Sequence, residues 1–210
     1  MGGWESKNGS SIVVGHCSSP AYCIRVVGSR HILLGGGGGA SKSGVPNDIQ
    51  TLLLSFASIE TMNSRAANET FSVQTKLTNT LQTDPHATMN MDCVLLGTPE
   101  LGTYLLAAGH DEYCDIYESY GFSLTEADKD EKPSLALNFK KISRITSDEK
   151  PDNPYQKTVR FDRSSEGQPK KLFTGGADGC IRIWDVEALR KKVNTAFLSS
   201  MFEVFFKHGA

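Results

Sequence analysis

The stretch of sequence that decides the fold is Leu172-Phe173-Thr174-Gly175-Gly176-Ala177-Asp178-Gly179-Cys180-Ile181-Arg182-Ile183-Trp184-Asp185. Small residues lead into a Gly-x-Asp turn, and an alternating strand follows that ends in an aromatic residue and an aspartate. In a blade of a WD-type β-propeller, small residues allow close packing, the turn leads to the next strand, and the aromatic residue packs between neighbouring blades. The stretch therefore predicts such a blade.

The same pattern recurs twice earlier in the chain. Residues 105–117 match it position by position, with His110-Asp111 at the turn. Residues 32–36 begin a third copy that then diverges into a glycine-rich loop. Strand signals dominate before residue 186, and helical periodicity is almost absent there. We therefore predict an all-β fold, a partial WD-type β-propeller with about three of an expected seven blades.

The pattern also suggests boundaries for this propeller. We expect a flexible N-terminal segment over residues 1–20, the partial propeller over 21–190, and a non-repeat apolar tail over 191–210. The tail begins with helix-forming residues, so a short C-terminal helix is expected. Because three blades leave open faces, we also expect the chain to be a fragment or a truncated isoform.

Composition excludes several functional classes. The 210 residues carry a net charge of −2 and are 39% hydrophobic, which suits a soluble globular protein without affinity for nucleic acid. No run of about 18 apolar residues indicates a membrane span. The histidines lack the spacing of a metal site, so no metal is expected. No Cys-x-x-Cys pair occurs, which predicts buried free thiols at Cys17, Cys23, Cys93, Cys114 and Cys180.

The glycine-rich loop over residues 35–47 is the main candidate for function, and three interpretations compete for it. A phosphate-binding loop needs glycine directly before Lys-Ser, but Ser41 precedes Lys42 here, and Pro46 opposes an immediate helix. A flexible linker between two strands is the simplest alternative. The third interpretation rests on a family resemblance.

Four glycines, four variable residues and then Gly44-Val45-Pro46-Asn47, inside the first blade of a WD propeller, resemble one family. It is the family of the prolactin regulatory element-binding protein and its fungal counterparts. The resemblance covers residues 21–190 approximately. It implies a guanine-nucleotide exchange factor for the small GTPase that initiates COPII coat assembly, which promotes transport from the endoplasmic reticulum to the Golgi.

The resemblance also implies roles for individual loop residues. Val45 and Pro46 would be an apolar pair inserted into the GTPase, and Asn47 would contact its nucleotide region. No cofactor is required, although the resemblance implies a potassium ion that orders the loop. The expected potassium site consists of Gly35, Gly36, Gly37, Gly38 and Gly44.

Two alternatives stay open at this stage. A non-catalytic WD scaffold would use the loop only as a linker, and a transcription regulator would need a DNA-binding motif that the sequence does not show. Family members act at the cytoplasmic face of the endoplasmic reticulum through a membrane anchor. For a chain without the anchor, a cytosolic location is the alternative.

His110 and Asp111 suggest acid–base chemistry, but a structural hydrogen-bond network is the favoured interpretation.

Overall fold

The computed structural model describes residues 13–41, 44–59, 70–125, 133–163 and 167–191, with the backbone alone at 57–59, 70–72 and 202–204. Within these ranges the chain forms three antiparallel four-stranded sheets. The first contains β1 (Ala21–Val27), β2 (His31–Gly36), β3 (Asp48–Ile59) and β4 (Thr70–Gln82). The second contains β5 (Asn90–Leu95), β6 (Tyr104–His110), β7 (Tyr113–Leu124) and β8 (Leu135–Thr146). The third contains β9 (Gln156–Phe161), β10 (Lys171–Gly176), β11 (Ile181–Asp185) and β12 (Phe202–Val204).

In every sheet the strands follow one another in sequence order, as in a propeller blade. The three blades do not close into a ring. This confirms the predicted all-β fold and the partial β-propeller. The first strands of consecutive blades lie side by side, which places β5 between β1 and β9.

Two hydrophobic cores lie between the three blades, one at each contact between neighbouring blades. The first core lies between blades one and two, where Leu33 and Ile49 pack with Met91 and Leu106. The second lies between blades two and three, where Ile116 packs with partners that include Leu172. Because both faces of the second blade are covered, every residue of β6 is buried. The two alanines of β6 are the small residues that this close packing requires.

A buried carboxylate joins the first strands of all three blades. Asp92 on β5 is fully buried and accepts hydrogen bonds from Arg25 Nε (3.3 Å) on β1 and Arg163 Nη2 (2.7 Å) beyond β9. It also accepts a hydrogen bond from the backbone N–H of Phe161 at 2.9 Å. Burying an unpaired carboxylate would be costly, and these donors offset that cost. They therefore hold the three blades in a fixed arrangement.

The predicted WD signature behaves as expected in the third blade. The indole Nε1 of Trp184 donates to Thr174 Oγ1 at 2.9 Å, so the aromatic side chain is hydrogen-bonded across the two strands. Asp185 then caps the predicted short helix, α1 (Val186–Arg190), by accepting a hydrogen bond from the N–H of Ala188 at 3.0 Å. The buried residues of α1, Val186 and Leu189, extend the second core.

The predicted boundaries lie partly outside the described residues, namely over 1–12, 192–201 and 205–210. Of the predicted flexible segment, residues 13–20 contact the first blade, where the carbonyl of Val14 accepts from the N–H of Thr75 at 3.2 Å. Of the predicted tail, residues 202–204 pair with β11 as the fourth strand of the third blade. The boundaries at 20 and 190 stay predictions.

The five cysteines are thiols, as predicted, but they are not all buried. Cys93 and Cys114 are buried in the cores, whereas Cys17 is exposed and Cys23 and Cys180 are half-buried. The prediction of a buried thiol at Cys17 is therefore wrong, because the segment before β1 lies on the surface of the blade. Among the residues that the structure describes, no helix is long and apolar enough to cross a membrane.

Candidate functional site

The glycine-rich loop connects β2 to β3 at one end of the first blade. The structure corrects its predicted boundary, because Gly35 and Gly36 belong to β2 and pair with Ile49 and Asp48 of β3. Glycine is required here by close packing. A Cβ atom on Gly35 would lie 2.5 Å from Met91 Cε, and one on Gly36 would overlap the carbonyl oxygen of Pro20.

Gly37 is the first residue of the loop proper and has a conformation that only glycine adopts readily. Its φ angle is +133°. A Cβ atom there would lie 2.7 Å from the Cα of Asn47 and would overlap its side-chain oxygen. The N–H of Gly37 donates to the carbonyl of Pro20 at 3.1 Å. The two ends of the loop therefore approach each other closely.

Asn47 closes the loop from inside. It is only 3% exposed, and its Oδ1 accepts a hydrogen bond from the N–H of Gly39 at 2.7 Å. Its Nδ2 donates to the carbonyl of Gly39 (3.2 Å), to Asp84 Oδ1 (2.9 Å) and to the carbonyl of Pro85 (3.2 Å). The backbone carbonyl of Asn47 accepts from the N–H of Thr83 at 2.9 Å. The amide is thus fully used in holding the loop against the β4–β5 connection.

The predicted apolar pair lies on the outside of the same loop. Pro46 and Gly44 are exposed, and Val45 is half-buried. Together with Asn47 and Pro85 they line a shallow open cleft at the end of the blade. The structure therefore brings Val45 and Pro46 to a surface that another protein can reach. A direct contact of Asn47 with a partner would require its amide to leave the present hydrogen bonds.

The residue that follows Asn47 carries a buried carboxyl group. Asp48 is buried at the start of β3, and burial raises the pKa of its carboxyl. A hydrogen bond from Gln50 Nε2 (3.3 Å) opposes this shift, and the nearby charge of Asp84 adds to it. Two carboxyl groups, those of Asp48 and Asp84, therefore lie near each other at the base of the loop.

The expected potassium site can be compared with the described loop carbonyls. Oxygen donors suit a hard cation, and the loop offers several. The carbonyls of Gly36 and Gly38 already accept hydrogen bonds from Thr88 N (3.2 Å) and Ser41 Oγ (2.9 Å). The donor chemistry fits the ion, and potassium binding stays a prediction. Among the described residues, no group of three or more His, Cys, Asp or Glu side chains is placed to hold a metal ion.

Sequence reasoning missed the β4–β5 connection, which supports the loop from the side. Asp84 and Pro85 accept hydrogen bonds from Asn47, and Thr83 donates to it through the backbone. His86 continues the connection to the second blade, where its Nδ1 lies 2.7 Å from Asp111 Oδ2. The Asp-Pro dipeptide signals a turn, but no local signal indicates that this turn meets residues 37 positions earlier.

His110 has the environment of a structural residue. Its side chain is fully buried, and its Nδ1 lies 3.3 Å from Thr88 Oγ1. Burial lowers its pKa to about 4, although the nearby Asp115 carboxylate opposes the shift. A neutral imidazole inside the core is consistent with the predicted hydrogen-bond network.

Comparison with known proteins adds an independent finding. No protein-family model matches the chain. The guanine nucleotide-exchange factor SEC12 of Mus musculus is 27% identical over an alignment 199 residues long, and the match covers 82% of this chain and 42% of the mouse protein. The protein of the same name from Rattus norvegicus is 26% identical, with the same coverage of both proteins. The chain spans about two fifths of the length of these curated relatives. It is thus related in sequence to the SEC12 exchange factors, which confirms the family resemblance.

Proposed function

We propose that this chain acts as a guanine-nucleotide exchange factor on the small GTPase that initiates COPII coat assembly. One observation carries the proposal: the glycine-rich loop presents Val45 and Pro46 on the surface while Asn47 holds it from inside. The proposed role is to promote vesicle transport from the endoplasmic reticulum to the Golgi, at the cytoplasmic face of the reticulum. Relatives named as exchange factors support it.

Exchange of this kind needs no covalent chemistry. A protein that binds the nucleotide-free state of a GTPase more tightly than the loaded state lowers the affinity for nucleotide by the same factor. An apolar pair such as Val45 and Pro46 would achieve this by displacing groups that bind the magnesium ion and the phosphates. A loop that is already ordered loses less conformational entropy on binding. The hydrogen bonds of Asn47 therefore favour the function even without direct contact to the nucleotide region.

Potassium would contribute only to the order of the loop. When bound, the ion would supply a positive charge that several carbonyl dipoles can share. The residues that would hold it are the glycines of the expected site, Gly35, Gly36, Gly37, Gly38 and Gly44, of which Gly35 and Gly36 are the last residues of β2. The hydrogen bonds of Asn47 hold the loop in the same way, so the two contributions would add.

A non-catalytic scaffold is the second candidate, and an exposed apolar row favours it. The row consists of one apolar side chain from each of the four strands of the first blade, placed side by side: Val26, Ile32, Leu52 and Leu77. Val26, at the end of the row, is 68% exposed. An exposed apolar patch of this kind is typical of an interaction surface. In a scaffold the glycine-rich loop would only link two strands.

The two candidates are separated by the release of a fluorescent guanine nucleotide from the purified GTPase. We expect the chain to accelerate release, and the Pro46→Glu variant to lose this effect because it places a charge on the apolar tip. Proline has no N–H, so the substitution removes no described hydrogen bond of the loop. Pro151→Glu, on an exposed residue of the β8–β9 connection, is the matched control. Binding to the GTPase without acceleration would contradict the proposal and support a scaffold.

A further inference from the structure

The Asn47 amide has one charged acceptor among its hydrogen-bond partners. Its NH2 group has two hydrogens and faces three oxygens, those of Gly39, Asp84 and Pro85. The Asp84 carboxylate is the nearest of the three, at 2.9 Å, and the only one that carries a charge. A hydrogen bond to an ionised acceptor is stronger than one to a carbonyl. Since a carboxylate only accepts, a flipped amide would place two oxygens against each other at this position.

Asp84 is held in place by the turn that carries it. The N–H of His86 donates to the carbonyl of Thr83 at 3.1 Å, and Thr83 Oγ1 donates to the carbonyl of His86 at 2.9 Å. The same connection bonds to both ends of the loop. The N–H of Thr83 donates to the carbonyl of Asn47 (2.9 Å), and the N–H of Thr88 donates to the carbonyl of Gly36 (3.2 Å). The carboxylate therefore projects from a fixed turn.

We propose that Asp84 is the positioning residue of the glycine-rich loop. Acting through Asn47, it adds the one charged acceptor to the two carbonyls that favour the same amide orientation, and so stabilises the bond from the Gly39 N–H to Asn47 Oδ1. The ordered loop then holds Val45 and Pro46 in a single conformation at the surface. Asp84 touches neither nucleotide nor reacting atoms, and its effect on exchange rests on the function proposed above.

The proposal predicts a specific kinetic signature. If the loop is ordered only part of the time, the apparent dissociation constant rises in inverse proportion to the ordered fraction. The maximal rate at saturation does not change, since every bound complex contains the ordered loop. Loss of Asp84 therefore raises the half-saturating concentration of the chain and leaves the maximal rate of nucleotide release unaltered.

The first test concerns the chain alone, by NMR-detected hydrogen exchange. We expect Asp84→Ala to accelerate exchange of the Gly39 amide about tenfold, because a hydrogen bond to a charged group stabilises by at least that factor. Asp84→Asn keeps a side-chain oxygen at the same place and should stay within about threefold of the wild type. Asp152→Ala, which removes an exposed acid from the β8–β9 connection, controls for the loss of charge. Unchanged protection of Gly39 in Asp84→Ala overturns the proposal.

The second test measures nucleotide release over a range of chain concentrations. For Asp84→Ala we expect the half-saturating concentration to rise, by up to about tenfold, at an unchanged maximal rate, with recovery in Asp84→Asn. A lower maximal rate at an unchanged half-saturating concentration would overturn the positioning role. If the wild-type chain accelerates no release while Gly39 exchange still responds to Asp84→Ala, the proposed function fails and the positioning of the loop by Asp84 is supported.

Discussion

Replacing Asn47 with alanine would remove the side chain that joins the glycine-rich loop to the β4–β5 connection. The buried amide accepts from Gly39 N–H at 2.7 Å and donates to Asp84 Oδ1 at 2.9 Å, with the carbonyls of Gly39 and Pro85 each at 3.2 Å. Alanine offers no polar group to these partners. It also leaves the Gly39 N–H without its acceptor.

The size of the effect follows from these contacts. Two hydrogens shared among three acceptors give about two effective donor bonds, and the Gly39 N–H adds a third. At about 1 kcal/mol for each neutral bond and about 1.5 kcal/mol for the bond to the Asp84 carboxylate, the sum is about 3.5 kcal/mol. Asp84 and Pro85 are exposed, so their oxygens can turn to water after the substitution. We therefore expect Asn47→Ala to lower the free energy of unfolding by about 2 kcal/mol.

Urea unfolding followed by circular dichroism measures this change. Asn138→Ala is the matched control, because Asn138 is exposed on β8 and donates one hydrogen bond, to Ser123 Oγ at 2.7 Å. A surface substitution of this kind should change the free energy of unfolding by at most about 0.5 kcal/mol. If Asn47→Ala costs no more than Asn138→Ala, the side chain does not hold the loop as described.

Three further predictions concern the cores and the blade signature. The free energy of unfolding should fall by up to about 3 kcal/mol as the pH drops from 6.5 to 4. His110 takes up a proton near pH 6.5 in the unfolded chain but only near pH 4 in the folded one, so protonation favours unfolding. An NMR titration of the folded chain with a His110 midpoint near 6.5 would contradict this. A thiol reagent should label Cys17 in the native chain and Cys93 only after unfolding, since burial raises the pKa of the Cys93 thiol; mass spectrometry of labelled peptides would detect the reverse order. Trp184→Phe should cost about 1 kcal/mol through the lost bond to Thr174 Oγ1, and an unchanged urea midpoint would refute that role.

Local patterns in the sequence predict most of the strands. The alternation over residues 135–146 predicts β8 with the bounds that the structure shows. For β4 (Thr70–Gln82) the sequence predicts a strand only over residues 71–76, because the second half of β4 is rich in Thr, Asn and Gln and lacks an alternating apolar signal. Such a strand forms by pairing with β3 rather than through its own side chains.

The site was harder to predict, because its decisive contacts are not local. Five successive glycines indicate a loop, yet Gly35 and Gly36 are strand residues that close packing against Met91 and Pro20 requires. Asn47 was expected to face a partner. Its buried position depends on Asp84, 37 residues away, and a contact at that separation leaves no periodic signal in one sequence.

The most direct test of the account compares the affinity of this chain for the nucleotide-free and the nucleotide-loaded small GTPase. Isothermal titration with each form would give the two dissociation constants. We predict tighter binding to the nucleotide-free form, by at least about tenfold (1.4 kcal/mol), and loss of this preference in Pro46→Glu but not in Pro151→Glu. Equal affinity for the two forms would contradict the proposed exchange activity, because a ligand that binds two states equally shifts no equilibrium between them.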